Sequence, residues 1–223
     1  MDFARVFNNA LPMLLEGLGK TVLVSIISII IGFVLGLLVC FMVRSRSRVL
    51  RGISKAYVWC VRGTPMMIQA LIIFFGVPQI IRLAFPNFSI DQMTAGIITL
   101  SLNAAAYMSE IFRGAIAAVD VGQVEASRSL GLSKTTTMIK VVLPQAFKIC
   151  APSLVNQFII TIKDSSLLSV IGLAELLNQA KAFAGSTFVY FETYIVVAVM
   201  YLIILSILMV LSQRVEKRLR NEK

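Results

Sequence analysis

The sequence predicts an all-α integral membrane protein: five transmembrane helices, a broken or re-entrant segment after the fourth, the N-terminus outside and the C-terminus in the cytoplasm. Three observations carry this. The first is composition. Of the 223 residues, 58% are hydrophobic and the mean hydropathy is +0.87, against an apolar share of ~45–50% in soluble domains. A water-soluble fold cannot hide so much apolar surface. The second is that uncharged runs long enough to cross a bilayer recur along the chain. The third is that the 21 Lys and Arg residues gather in alternate loops.

A spanning helix needs ~20 mostly apolar residues. The first run, Thr21 to Val43, satisfies this outright. Gly32 and Gly36 within it share a face and admit a close neighbour. The run is too long for the apolar part of a signal peptide and is followed by Arg44, Arg46 and Arg48, so no cleavable leader is expected. The second run, Gly63 to Ile81, begins earlier, near Lys55, with Arg62 as an interfacial anchor whose stem lies in lipid. The third extends from Gln92 past Glu110 to about Ala118. The fourth is short: Ile149 to Ile162, ended by Lys163-Asp164 and followed by a second apolar piece, Ser165 to Ala174. One crossing and then a broken or re-entrant stretch fits this pattern, since irregular backbone at membrane depth is tolerated only under protein or along a water-filled cavity. The last run is Thr193 to Gln213.

Basic residues set the orientation. Arg44, Arg46, Arg48, Arg51 and Lys55 lie between spans one and two. Arg128, Lys134, Lys140 and Lys148 lie between spans three and four. Arg214, Lys217, Arg218, Arg220 and Lys223 form the tail. The alternate loops hold few, mainly Arg5, Lys20, Arg82 and Lys181. The positive-inside rule places the first group in the cytoplasm and the N-terminus outside. Residues 1–223 then form a single transmembrane domain with a cytoplasmic loop at about 120–145.

That loop has its own pattern. Asp120 can cap a helix, with Gln123 completing a capping box. Val124 to Leu130 make about two turns, and Gly131 suits the left-handed position beyond a helix end. Ser133 can cap the next helix, and Pro144 suits a first turn. Glu125-Ala126-Ser127, then Gly131, then Val141 and Leu143-Pro144 resembles the EAA loop of ABC-importer permeases. Ser127 stands where that pattern has its second Ala, and Val141 where it has Ile. Arg62-Gly63-Thr64-Pro65, Asn103-Ala-Ala-Ala-Tyr107, Glu110-Ile-Phe-Arg113-Gly114 and Lys163-Asp164-Ser165-Ser166-Leu167 resemble the polar amino-acid branch of that family, so the resemblance covers essentially the whole chain. It implies a permease subunit of a bacterial cytoplasmic (inner) membrane importer. It further implies a second permease copy or homologue, a dimer of ABC ATPase subunits that bind ATP and Mg, and an external solute-binding protein. Glu125, Ala126, Ser127, Gly131, Leu143 and Pro144 would form the ATPase-coupling surface. The resemblance does not choose among histidine, arginine, glutamine and cystine.

Polar residues inside spans are costly and gather at cores or pathways. Thr99, Asn103, Tyr107, Glu110 and Gly114 recur at helical spacing on one face. Thr99, Asn103 and Tyr107 are therefore candidate substrate contacts, and Glu110 with Arg113 a structural ion pair or gate. Lys163 and Asp164 are candidates at the break. Ser165 and Ser166 are candidates beside it, where a helix start would aim N–H groups at a carboxylate.

Several chemistries are excluded. The chain has no histidine, so His-containing triads and His-ligated metal sites are absent, and no catalytic or metal site is expected. It has no phosphate-binding Gly-x-x-x-x-Gly-Lys-[Ser/Thr], so ATP hydrolysis belongs to a partner and the chain needs no cofactor of its own. Three cysteines in or near apolar segments make no disulfide framework. The net charge of +10 sits at the ends of apolar runs and not in a nucleic-acid-binding patch. The competing readings are a passive channel, which leaves the 120–145 loop unexplained, an ABC permease for another small solute, and a membrane-embedded enzyme.

Overall fold

The computed structural model describes residues 2–221, and its elements among them are helices. In chain order these are α1 (Phe3–Val43), α2 (Arg48–Gly63), α3 (Met66–Ile81), α4 (Gln92–Ala117), α5 (Val121–Ser129), α6 (Lys134–Ile171), α7 (Leu176–Thr187) and α8 (Tyr190–Asn221). Helices α1, α4, α6 and α8 are each long and apolar enough to cross a membrane, and the bent pair α2–α3 makes up to a fifth span. Lys223, counted in the basic tail, lies outside the described residues.

Helix α1 starts well before the expected Thr21. The charges that mark that boundary are Glu16 and Lys20, one turn apart and paired at 2.7 Å, so they do not stop the helix. Wide π turns occur at Val6–Ala10, Ile72–Gly76 and Met138–Val142. Each ends two residues before a proline: Pro12, Pro78 and Pro144. A proline has no N–H to donate and its ring crowds the carbonyl four residues back. A widened turn relieves that crowding without ending the helix.

The second segment corrects the expectation of one continuous crossing. It is two helices, α2 and α3, bent by 109° at Gly63-Thr64-Pro65. Thr64 is extended (φ −122°, ψ 146°), as the residue before a proline prefers. The carbonyls freed by the bend are recovered locally. The Gln69 amide donates to Val61 O at 2.8 Å and Thr64 O at 3.1 Å.

The fourth segment differs in the opposite sense. Lys163-Asp164 does not break it. Ser165 and Ser166 donate to the carbonyls of Ile162 and Lys163, three residues back, and the helix tightens into a 3-10 stretch that runs on to Ile171. The break comes at Gly172 (φ +77°). Helix α7, unforeseen in the sequence, then returns along the ends of α1 and α8. Its N-cap is Glu175, fully buried and facing no cation among the described residues. It accepts from Asn178 N at 2.7 Å, Leu177 N at 2.9 Å, Tyr201 Oη at 3.2 Å and Thr21 Oγ1 at 3.5 Å. One carboxyl therefore joins α1, α7 and α8. Burial is the dominant influence on it and holds it above the ordinary carboxylate range, with these hydrogen bonds opposing.

Lipid tails are as apolar as leucine, so helices in a membrane associate by close packing and hydrogen bonds. The α1–α4 seam is the clearest case. A Cβ on Gly32 would lie 2.9 Å from Ala104 Cβ, and one on Gly36 2.9 Å from Met108 Cβ, so both glycines are needed for the approach. Buried clusters stack along α1: Val6, Leu14, Leu176 and Phe183, then Val24, Leu100 and Leu168, then Cys40, Phe112, Ile116 and Val142. Leu15, Ile30, Val34 and Leu38 of α1 and Leu202, Ile203 and Ile207 of α8 point outward.

Candidate functional site

A polar cavity of about 360 Å³ lies where the α2–α3 bend meets α4 and α6. Its walls carry Thr64, Pro65, Met66, Asn103, Tyr107, Gln157, Ile160 and Asp164. Helix α4 supplies Asn103 and Tyr107 from one face, one turn apart. Asn103 is positioned by the bend itself: its Nδ2 donates to Gln69 Oε1 at 3.4 Å, and the same Gln69 staples the bend. Asp164, at the end of the α-helical part of α6, makes no ion pair among the described residues. The cavity thus offers one carboxylate, two amides and a phenol, with apolar walls between them, while the Thr64 hydroxyl is engaged, donating to Cys60 O at 2.8 Å. That set suits a small zwitterion: an anionic group for an ammonium, and N–H and O–H donors for a carboxylate.

Of the seven residues expected to touch substrate, Asn103, Tyr107 and Asp164 meet here. Thr99 does not; its buried hydroxyl donates to Ala95 O at 2.7 Å. Ser165 and Ser166 turn back onto their own helix, and no helix begins after them. Lys163 is exposed outside the cavity lining. Thr64 and Gln157 were not anticipated. Thr64 needed the bend to be known, and Gln157, 4% exposed, sits in a stretch whose inward face no pattern marked.

Beside this cavity lies a wider one of about 720 Å³, lined by residues including Arg51, Lys55, Trp59, Arg62, Glu110 and Arg113. An ionic cluster stands between the two. Arg113 donates twice to Glu110, at 2.7 and 3.1 Å. Arg62 approaches Glu110 Oε2 at 3.7 Å and lies 5.3 Å from the centroid of the Tyr107 ring, within cation–π range. Arg62 is therefore turned toward the site and is not the lipid-interface anchor expected from sequence. Tyr107 faces the smaller cavity and Arg62 the larger, so the cluster forms the wall between them.

The 120–145 loop is built largely as expected. Asp120 caps α5, though through Gly122 N at 2.7 Å and without a reciprocal bond from the Gln123 side chain. Gly131 is left-handed (φ +81°), and Ser133 caps the next helix by accepting from Thr136 N. Glu125 and Ala126 are exposed, as is Leu130 at 83%. Ser127 is not part of that surface. It is buried, donating to Val124 O at 2.8 Å and meeting Thr137 Oγ1 at 3.2 Å, which ties α5 to α6. Leu143 and Pro144 belong to α6, beyond its π turn.

Helices of membrane-spanning length around a polar cavity, with a capped polar loop at one end, define a multi-pass membrane transport subunit. Comparison with known proteins agrees. Residues 28–221 match the family described as "Binding-protein-dependent transport system inner membrane component", and the chain belongs to this family. It is 37% identical over 221 residues to the arginine transport system permease protein ArtQ of Bacillus subtilis, covering 99% of this chain and 98% of that one. It is 37% identical over 211 residues to the glutamine transport system permease protein GlnP of Escherichia coli K12, covering 95% and 94%. A solved crystal structure of an amino acid ABC transporter with histidines superposes with a TM-score of 0.90 at 35% identity, covering 98% of this chain and 99% of that one.

Proposed function

We propose that this chain, residues 1–223 acting as one transmembrane domain, is the permease subunit of an ATP-driven importer of polar amino acids. In this reading Asn103, Tyr107 and Asp164, with Gln157, contact the substrate, and Thr64 holds the bend that shapes the wall. The observation that carries it is the polar cavity between α3, α4 and α6, whose half-buried Asp164 makes no ion pair among the described residues. An amino acid's ammonium completes that pairing, while Asn103 and Gln157 donate to its carboxylate. Thr99, Ser165 and Ser166 then shape the helices around the cavity and do not touch substrate. The family membership and the names of the relatives support the substrate class.

The loop at 120–145 is the surface for the ATPase pair, with Glu125, Ala126 and Leu130 outward and Gly131 closing the helix. The ATP and Mg belong to that partner, and a second permease subunit, a copy or a homologue, and an external binding protein complete the machine. The N-terminus is outside and the C-terminus cytoplasmic. In support, Arg44, Arg128 and Lys134 line one cavity and so share one end of the bundle, where the positive-inside rule wants them.

Uptake in proteoliposomes with the cognate binding protein tests the substrate site. Asp164→Asn keeps volume and hydrogen bonding, and uptake and substrate-stimulated ATP hydrolysis should both collapse. Lys181→Gln, which removes a charge bonded to Ser169 Oγ at 3.0 Å away from the cavity, should leave uptake near the parental rate. Equal behaviour of the two variants refutes the site. Cysteine labelling from outside should reach a residue within 83–90 and miss one within 133–136; the reverse refutes the orientation.

A further inference from the structure

A third cavity, of about 310 Å³, lies behind α5, where α1 and α4 end and α6 begins. Arg44, Arg128 and Lys134 line it, and no carboxylate does. Among the described residues none of the three makes an ion pair. Arg128 Nη1 donates to the Leu132 carbonyl. The floor is apolar: Ile116 (8% exposed) and Val142 (4%), with Met138 beside them. Arg44 is the C-cap of α1, and Ile116 is one residue from the end of α4. The cavity therefore sits at the depth of the lipid headgroups, open between helices.

We infer that this cavity is a binding site for the phosphate headgroup of an anionic phospholipid, held by Arg44, Arg128 and Lys134 with the first acyl carbons against Ile116, Met138 and Val142. Three like charges facing one small space repel each other until an anion joins them. Basic pockets between spans at the cytoplasmic face take anionic headgroups for this reason. A free phosphate would satisfy the cations but leave the apolar floor bare, whereas a phospholipid satisfies both. An acidic side chain of the ATPase fits less well. Val124 and Arg128, one turn apart on α5, face the cavity, while Ala126 is on the other side of that helix, outward. A lipid here would brace α5 from behind and link membrane composition to coupling. The inference rests on the orientation proposed above only for which leaflet supplies the lipid.

Native mass spectrometry of the assembled transporter tests it, with phosphatidylglycerol, phosphatidylcholine of the same chain length, and inorganic phosphate as three separate additions. Lipid retention in micelles does not depend on leaflet, so a reversed topology leaves this readout unchanged. Phosphatidylglycerol should be retained in preference to phosphatidylcholine, and inorganic phosphate should not displace it. Arg44→Gln and Lys134→Gln should each weaken retention about fivefold, the effect of one cation near an anionic surface. Lys140→Gln, an exposed basic neighbour outside the cavity, should not change it. Three results would overturn the inference: equal retention by the variants and the parent, displacement by inorganic phosphate alone, or loss of the ATPase subunits in Lys134→Gln with lipid retention intact. The last would give these cations to the ATPase.

Discussion

Replacing Gly36 by alanine tests the central packing claim with a single methyl group. The new Cβ would lie 2.9 Å from Met108 Cβ, 3.1 Å from Ala105 O and 3.3 Å from Ser109 N. Carbon atoms rest at about 3.5–4.0 Å, so α1 and α4 must separate by roughly 0.6–1 Å at this point. Two of the three obstacles are backbone atoms and cannot rotate away. A gap of that size forfeits about a quarter to a half of each neighbouring contact, and overpacking of this kind costs about 1–3 kcal/mol. For a chain of this length each kcal/mol shifts the midpoint by ~2–4 °C, so thermal unfolding in detergent should fall by about 2–12 °C. Function should suffer as well, because α4 carries Asn103, Tyr107 and Glu110, and a site must hold its geometry within about 0.5 Å. Gly19→Ala is the matched control: nothing lies within 4 Å of its added Cβ, and alanine in an open helical position stabilises by about 0.5–1 kcal/mol. The two variants should therefore move in opposite directions. If Gly36→Ala is as stable and active as Gly19→Ala, the close α1–α4 seam is wrong.

Three further outcomes are expected. Glu110→Gln should cost little stability, about 0–1 kcal/mol, because the paired Arg62 and Arg113 side chains are 43% and 48% exposed and water screens them. It should nevertheless disturb uptake well beyond that loss by releasing Arg62 from the wall between the cavities, and unchanged uptake would remove the cluster from the pathway. Gly131→Val has open space around its side chain, so its penalty is the left-handed backbone alone, roughly 1–2 kcal/mol; ATPase co-purification should weaken while membrane insertion persists, and Gly131→Asn should retain more. Glu175, with its folded value raised by burial, favours the fold when protonated. Its contribution is complete below the unfolded value of about 4.3 and is lost as pH rises through the raised folded value. The thermal midpoint of the parent should thus gain on that of Glu175→Gln as pH falls across that window, and a difference between the two that does not change with pH would refute this.

The membrane class, the apolar identity of each span and the 120–145 loop were all legible in the residues, because each follows from local chemistry. Bilayer thickness fixes the length of an apolar run, a cap favours Asp or Ser at the helix start, and a left-handed exit favours glycine. Asp120, Gly131 and Ser133 stand where that logic places them. Gly32 and Gly36, four residues apart, likewise announced a close approach, though not to which helix. The tertiary structure decided what depends on neighbours distant in sequence. Thr64-Pro65 signals an extended residue, but only the packed fold turns it into a 109° bend, because Gln69 must recover the freed carbonyls and Asn103 must meet Gln69. Lys163-Asp164 looks like a break, yet the helix passes through it: Lys163 is exposed, Asp164 faces the cavity, and Ser165 and Ser166 donate to carbonyls three residues back. Arg62 reads as an interfacial anchor until the bend brings it over Tyr107. Ser127 reads as outward until Thr137, ten residues on, gives its hydroxyl an inward partner. Glu175 gave no signal, for a buried carboxyl becomes intelligible only when Thr21 and Tyr201 arrive from two other helices to donate to it. Sequence periodicity reports which face of a helix is apolar; which polar groups meet across helices is set by packing.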